Sequence, residues 1–168
     1  MISPMISPER SRQLLIAFIF AIAVFFSLFH LKESPSVWFD EGIYMQTATN
    51  LADGLGATFQ LAPGRLSDIM FSYSVGYPVI YPLAILFKIF GSSVLIARSM
   101  MVFFILTFAV SVYFVVRRRF GPTLALYSFA LVATFPPLYG NGKSVLGEVP
   151  ALLFLTLSFI CFQWAQSA

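Results

Sequence analysis

Seven side chains of this sequence are placed where they could do chemistry. Asp40 and Glu41 stand side by side, Glu148 lies far downstream, and Arg65, Tyr81, Arg98 and Lys143 fall between. A carboxylate beside a hydroxyl or amine can take its proton. Two carboxylates that meet, here Asp40 and Glu148, can also hold a hard divalent cation such as Mg or Mn. Guanidinium and ammonium groups can answer a phosphate as charge builds on it. Each position has a plainer reading beside the chemical one. Asp40 is a good helix N-cap, and Glu41 would then favour the dipole of the first turn. Glu148 can cap a helix that has Pro150 in its first turn. Arg98 and Lys88 can snorkel to an interface, and Tyr81 can belong to an aromatic belt. Both readings stay open until the elements that carry these residues are known.

Those elements are set by an extreme composition. Of 168 residues, 59% are hydrophobic and 10% charged, with 20 phenylalanines and a mean hydropathy of +0.87. A soluble domain carries roughly 25% charged residues, so the chain reads as an integral membrane protein. The net charge of +3 is scattered apart from Arg117-Arg118-Arg119. In such a chain that run is a topology signal, and no basic or aromatic platform for nucleic acid is present. No glycine-rich phosphate loop, zinc pattern or serine-hydrolase elbow occurs. The single cysteine, Cys161, has no internal partner and reads as a small buried hydrophobe.

Apolar runs able to span about 30 Å lie at 14–31, 94–116, 122–139 and 149–165. Arg10 and Arg12 place a tail of residues 1–12 in the cytoplasm, ahead of a retained signal-anchor helix. Met1-Ile2-Ser3-Pro4, repeated as Met5-Ile6-Ser7-Pro8, reads as a disordered stretch of that tail. A further run, Tyr77–Phe90, would reach only about 21 Å and holds Pro78 and Pro82, which fits an interfacial or re-entrant helix. If it does not cross, Arg117–Arg119 fall inside, as the positive-inside rule requires. Residues 32–93 then form one outer loop, and Asp40, Glu41 and Glu148 share one face of the membrane. Within the loop, Tyr44, Ala48, Leu51, Ala52 and Leu55 recur at helical spacing, ended by Gly54 and Gly56, with a turn at Pro63-Gly64. The expected fold is an all-α bundle of about four transmembrane helices, with interfacial helices on its outer loop.

An ordered set of short motifs carries a resemblance. Asp40-Glu41-Gly42-x-Tyr44 follows the first membrane helix. Ser74-Val75-Gly76-Tyr77-Pro78 and Tyr81-Pro82 lead to Phe87-Lys88-Ile89-Phe90-Gly91. Val94-Leu95-Ile96-Ala97-Arg98 opens a span that Arg117-Arg118-Arg119-Phe120-Gly121 closes, and Gly147-Glu148-Val149-Pro150 comes one span later. This series resembles the N-terminal part of the GT-C glycosyltransferases, most closely the protein mannosyltransferase and aminoarabinose transferase group. The resemblance implies transfer of a sugar from a polyprenyl-phosphate donor to a glycan, lipid or protein acceptor on the extracytoplasmic side of the cell membrane. It places the catalytic base on Asp40, with Glu41 beside it, and the second acidic residue on Glu148. Arg98, Lys143 and Arg65 are the outer-side cations for the lipid phosphate, and Tyr81 is a further substrate contact. Where aminoarabinose transferases have a Glu-Lys pair before the proline, this chain has Gly76 and Tyr77, so contacts made there do not carry over. Members of the group have more spans, which implies that these residues are the N-terminal part of a longer membrane domain.

Two rival classes fit the same composition. A small transporter or flippase would need charges along a path through the bundle, whereas every ionisable residue lies near a span end. A non-enzymatic assembly subunit would use the outer loop to bind a partner.

Overall fold

A computed structural model describes residues 7–67 and 76–166. The elements run α1 (Pro8–Leu28), α2 (Phe39–Ala52), a hairpin β1 (Gln60–Ala62) and β2 (Arg65–Leu66), α3 (Tyr77–Phe90), α4 (Val94–Phe120), α5 (Pro122–Ala133), α6 (Pro136–Tyr139), a 3-10 turn (Asn141–Lys143) and α7 (Glu148–Ala165). The chain is therefore mostly helical, apart from the two short antiparallel strands, which flank the expected turn at Pro63-Gly64.

Three helices, α1, α4 and α7, are long and apolar enough to cross a membrane. The chain thus has the make-up of a membrane protein. A fourth crossing exists only if α5 and the segment from Pro136 to Lys143 count as one span bent by 50°. The break has a local cause. Phe135 precedes Pro136, and a residue before proline is pushed out of the helical region. Phe135 is accordingly extended, at φ −80° and ψ 106°. At 12 residues, α5 alone is about 18 Å long, short of the hydrocarbon thickness.

Two boundaries differ from expectation. Helix α1 starts at Pro8, inside the expected tail, because Ser7 accepts the Arg10 backbone N–H at 3.3 Å and proline suits a first turn. It ends at Leu28, and the run to Leu31 turns instead, with His30 at φ +49°. Met1 to Ile6, most of the repeated segment, lie outside the described residues. Helix α4 continues through the triple arginine for 27 residues. Its last turn carries those cations against the negative end of the helix dipole.

Helix α4 is the hub. It packs against α5 and α7, and also meets α1 and α3. Alanines make the close approaches: Ala23, Ala97, Ala125 and Ala133 are fully buried, and Ala109 nearly so. In lipid there is no hydrophobic drive between helices, so small residues that let backbones approach are what hold them. Tyr113 and Phe129 pack edge to face beside that seam, with ring centroids 5.9 Å apart. Helix α3 is not loose on the surface. Val79, Ile80, Leu83, Ala84 and Phe87 are buried, and most of them join a core with Ala48 of α2 and Met100 and Met101 of α4. The α2 stripe behaves as its spacing implies, since Tyr44, Ala48, Leu51 and Ala52 pack inward, whereas Leu55 is exposed. Cys161 is exposed on α7, contrary to the expected buried position. Most of α7 faces outward with it, in a row of bulky apolar side chains suited to lipid.

Gly121 serves as both C-cap of α4 and first cap of α5, at φ +89° and ψ 173°. An added Cβ there would meet nothing within 4 Å, so backbone strain alone decides the effect. Gly121→Ala is expected to lose about 1–3 kcal/mol, read as a lower unfolding midpoint in detergent.

The topology has its own check. With Cys161 replaced by Ser, single cysteines near Asp40, Phe90, Arg118 and Gly147 are placed in intact cells. A membrane-impermeant thiol reagent should label the Asp40, Phe90 and Gly147 sites and spare Arg118. Labelling at Asp40 and Arg118 with protection at Gly147 would mean that Tyr77–Phe90 crosses, and the shared acidic face would be lost.

Candidate functional site

The first turns of α2 and α7 bring two carboxylates to one cavity. Asp40 and Glu148 line a cavity of about 550 Å³ with Tyr44, Pro78 and Phe154. Residues that line one cavity share one end of the bundle. Neither acid is the cap it could have been. The N-cap of α2 is Trp38 and that of α7 is Gly147, and neither makes a side-chain cap bond. Asp40 and Glu148 are first-turn residues, exposed and favoured by the helix dipoles.

Glu41 turns the other way, as successive helical residues do. It is fully buried in an ion pair with Arg98. The pair is bidentate: Arg98 donates Nε to Oε1 at 3.0 Å and Nη2 to Oε2 at 2.8 Å. The Val145 backbone N–H donates to Oε1 at 3.2 Å. Arg98 Nη1 donates to the carbonyl of Leu31 at 3.1 Å and that of Lys32 at 3.4 Å. Lys143 Nζ donates to the Phe29 carbonyl at 2.9 Å. These bonds tie four stretches together: the end of the first membrane segment, α2, the start of α4 and the loop before α7. Because Glu41 adjoins Asp40 and Val145 lies three residues before Glu148, this buried knot fixes the two cavity carboxylates relative to each other.

The knot corrects two expectations. Arg98 does not snorkel to the interface or stand open to a lipid phosphate; it is fully buried with its donors engaged. Glu41 does not line the cavity beside Asp40 but holds the frame behind it. Lys143 is also nearly buried and makes no ion pair with Glu148; it lines a separate cavity of about 340 Å³ with His30 and Tyr139. Arg65 lies exposed on β2, and Tyr81 lies exposed on α3 with its ring centroid 5.3 Å from that of Tyr77. Neither lines the cavity of Asp40 and Glu148.

Phe154 is a lining residue that the motif reading did not include, whereas Tyr44 stood in the motif with no role at the site. Their signal was available as spacing: Glu148, Ala151 and Phe154 follow at helical intervals, as Asp40 and Tyr44 do. The segment 68–75, which holds Ser74-Val75 of the motif series, lies outside the described residues. Among the described residues no group of three or more His, Cys, Asp or Glu side chains comes together. A cation here would rest on Asp40 and Glu148, and two carboxylates completed by water and substrate phosphate are a donor set that suits Mg.

No known family model, curated protein or solved structure matches the chain.

Proposed function

We propose that this chain carries the acidic site of a membrane glycosyltransferase, which moves a sugar from a polyprenyl-phosphate donor to an acceptor at the extracytoplasmic face of the cell membrane. The observation that supports this reading most is the shared cavity of Asp40 and Glu148. Its volume of about 550 Å³ falls within the range of small-molecule sites, about 300–1,000 Å³. Asp40 is the general base. Its carboxylate takes the proton of the acceptor hydroxyl or amine as that atom bonds to the anomeric carbon of the sugar. The bond from the anomeric carbon to the phosphate oxygen breaks, and its electron pair leaves with the polyprenyl phosphate. Glu148, on the facing helix, orients the acceptor. Asp40 and Glu148 would also hold Mg or Mn, which when bound would neutralise charge on the departing phosphate. Of the three cations expected to meet that phosphate, Arg65 is the exposed one, since Arg98 is committed to Glu41 and Lys143 is nearly buried. Buried knot and exposed acid thus divide the adjacent pair: Glu41 braces, Asp40 reacts.

The test is transfer in membranes from cells producing the protein, supplied with a panel of radiolabelled hexosyl and pentosyl polyprenyl phosphates. Label should reach an acceptor with the natural chain and not with Asp40→Asn. Undiminished transfer by Asp40→Asn refutes the assignment, and it is the result expected of a non-enzymatic assembly subunit.

A further inference from the structure

The stretch that leads into α2 and the stretch that leads into α7 meet at a smaller cavity beside the acidic one. It holds about 220 Å³ and is lined by Pro35, Ser36, Trp38, Asn141, Ser144 and Leu146. Leu146 also lines the cavity of Asp40 and Glu148, so the two cavities adjoin at that side chain. Trp38 is the N-cap of α2, two residues before Asp40. The buried knot fixes both rims. Glu41, three residues after Trp38, accepts the backbone N–H of Val145, the residue after Ser144. Two backbone bonds shape the rim before α7: the Ser144 N–H donates to the Asn141 carbonyl at 3.0 Å, and the Leu146 N–H to the Ser144 carbonyl at 2.7 Å.

We propose that this cavity binds one neutral sugar ring, and that the ring belongs to the acceptor, which is therefore a saccharide. Only the second half, the assignment to the acceptor, rests on the transfer reading above. A sugar ring has an apolar C–H face and a rim of hydroxyls. Trp38 is exposed and offers a flat apolar surface to the face. Ser36, Asn141 and Ser144 offer hydroxyl and amide groups that both donate and accept, as the rim does. Among the described residues none of these three side chains makes a hydrogen bond. Ser36 and Asn141 are exposed, but Ser144 is only 2% exposed. A hydroxyl in a residue that deeply buried is normally bonded. A sugar hydroxyl would supply the missing partner. No charged side chain is among the described residues that line the cavity. The donor's phosphate calls for a cation, so the neutral lining suits the acceptor's ring, next to the proposed base. The volume lies below the range of about 300–1,000 Å³ typical of drug-sized ligands, which leaves room for a single ring.

Trp38 reports on this site directly. With Trp164→Phe it is the only tryptophan. That protein, in a polyoxyethylene detergent that carries no sugar, is titrated with the methyl glycosides of glucose, mannose, galactose, N-acetylglucosamine, arabinose and xylose. At least one should change the Trp38 fluorescence along a saturating curve with a Kd of about 1 mM, the strength open to a ligand of about a dozen non-hydrogen atoms. Asn141→Ala should weaken that Kd about 2–10-fold, the worth of one neutral hydrogen bond, and it removes no bond that the fold uses. The converse protein, Trp38→Phe with Trp164 kept, should not respond. A saturating response to none of the six glycosides overturns the proposal. So does an unchanged Kd in Asn141→Ala, or the same curve from Trp164. Sugar binding with no transfer to any acceptor would refute the transferase reading and the acceptor assignment but leave the sugar site standing. Transfer without sugar binding would refute this site alone.

Discussion

Arg98→Met will destabilise this chain by about 3–5 kcal/mol, the cost of leaving a buried carboxylate without its counter-charge. Both partners are fully buried, so neither water nor salt can screen the loss. The fold would shed five hydrogen bonds at once: two to Glu41, one to Leu31, one to Lys32, and the bond that Val145 makes to an anchored Glu41. The double variant Glu41→Leu/Arg98→Met should recover part of that loss, because a buried pair replaced by hydrocarbon is often near neutral. Recovery will not be complete. The Leu31 and Lys32 carbonyls and the Val145 N–H stay behind without partners, and each such group costs about 1–3 kcal/mol. The measurement is a double-mutant cycle from unfolding midpoints in mixed detergent. A single-variant loss below about 1 kcal/mol would place the pair among the exposed kind and end its role as a brace.

Asp40→Asn should fail in the opposite way. Its fold should survive, because Asp40 is exposed and only its dipole interaction, about 0.3–1 kcal/mol, is at stake. Its sugar transfer should fall by about 10²–10⁴-fold, the range that a positioned general base contributes. Glu41→Gln is the necessary comparison, one residue away and acting only through the frame. Unfolding and transfer should decline together in Glu41→Gln and separate in Asp40→Asn. If the two variants lose activity and stability in the same proportion, Asp40 is structural as well, and the base must be sought elsewhere.

The contrast between these neighbours also marks how far the sequence could be read. The apolar runs located every long helix, because hydrocarbon length is a local property. The short run Tyr77–Phe90 became a 14-residue helix at those very bounds. The apolar run at 122–139 holds Pro136 and Pro137, but hydropathy carries no direction, so the 50° bend was not visible in it. Asp40 and Glu41 looked alike on paper. What separates them is Arg98, 57 residues further on, and no local pattern states which of two adjacent acids a distant guanidinium will take. The cap expected of Asp40 failed for a related reason. The helix starts one residue before it, at Phe39, and its N-cap is Trp38, which has no side-chain oxygen to offer. Cys161 misled because a cysteine in an apolar run is usually inside, whereas α7 turns most of its surface outward.

The brace also sets a schedule for synthesis. Glu41 leaves the ribosome 57 residues before Arg98, and Val145 follows 104 residues after Glu41. The acid is therefore made first, its counter-ion emerges with the start of α4, and the amide that completes its shell comes only after α4 and α5 have been translated. Glu148 arrives three residues later still. The pocket that the two exposed acids share cannot exist on a shorter nascent chain, so Asp40 is kept from Glu148 until α1 to α5 have been translated.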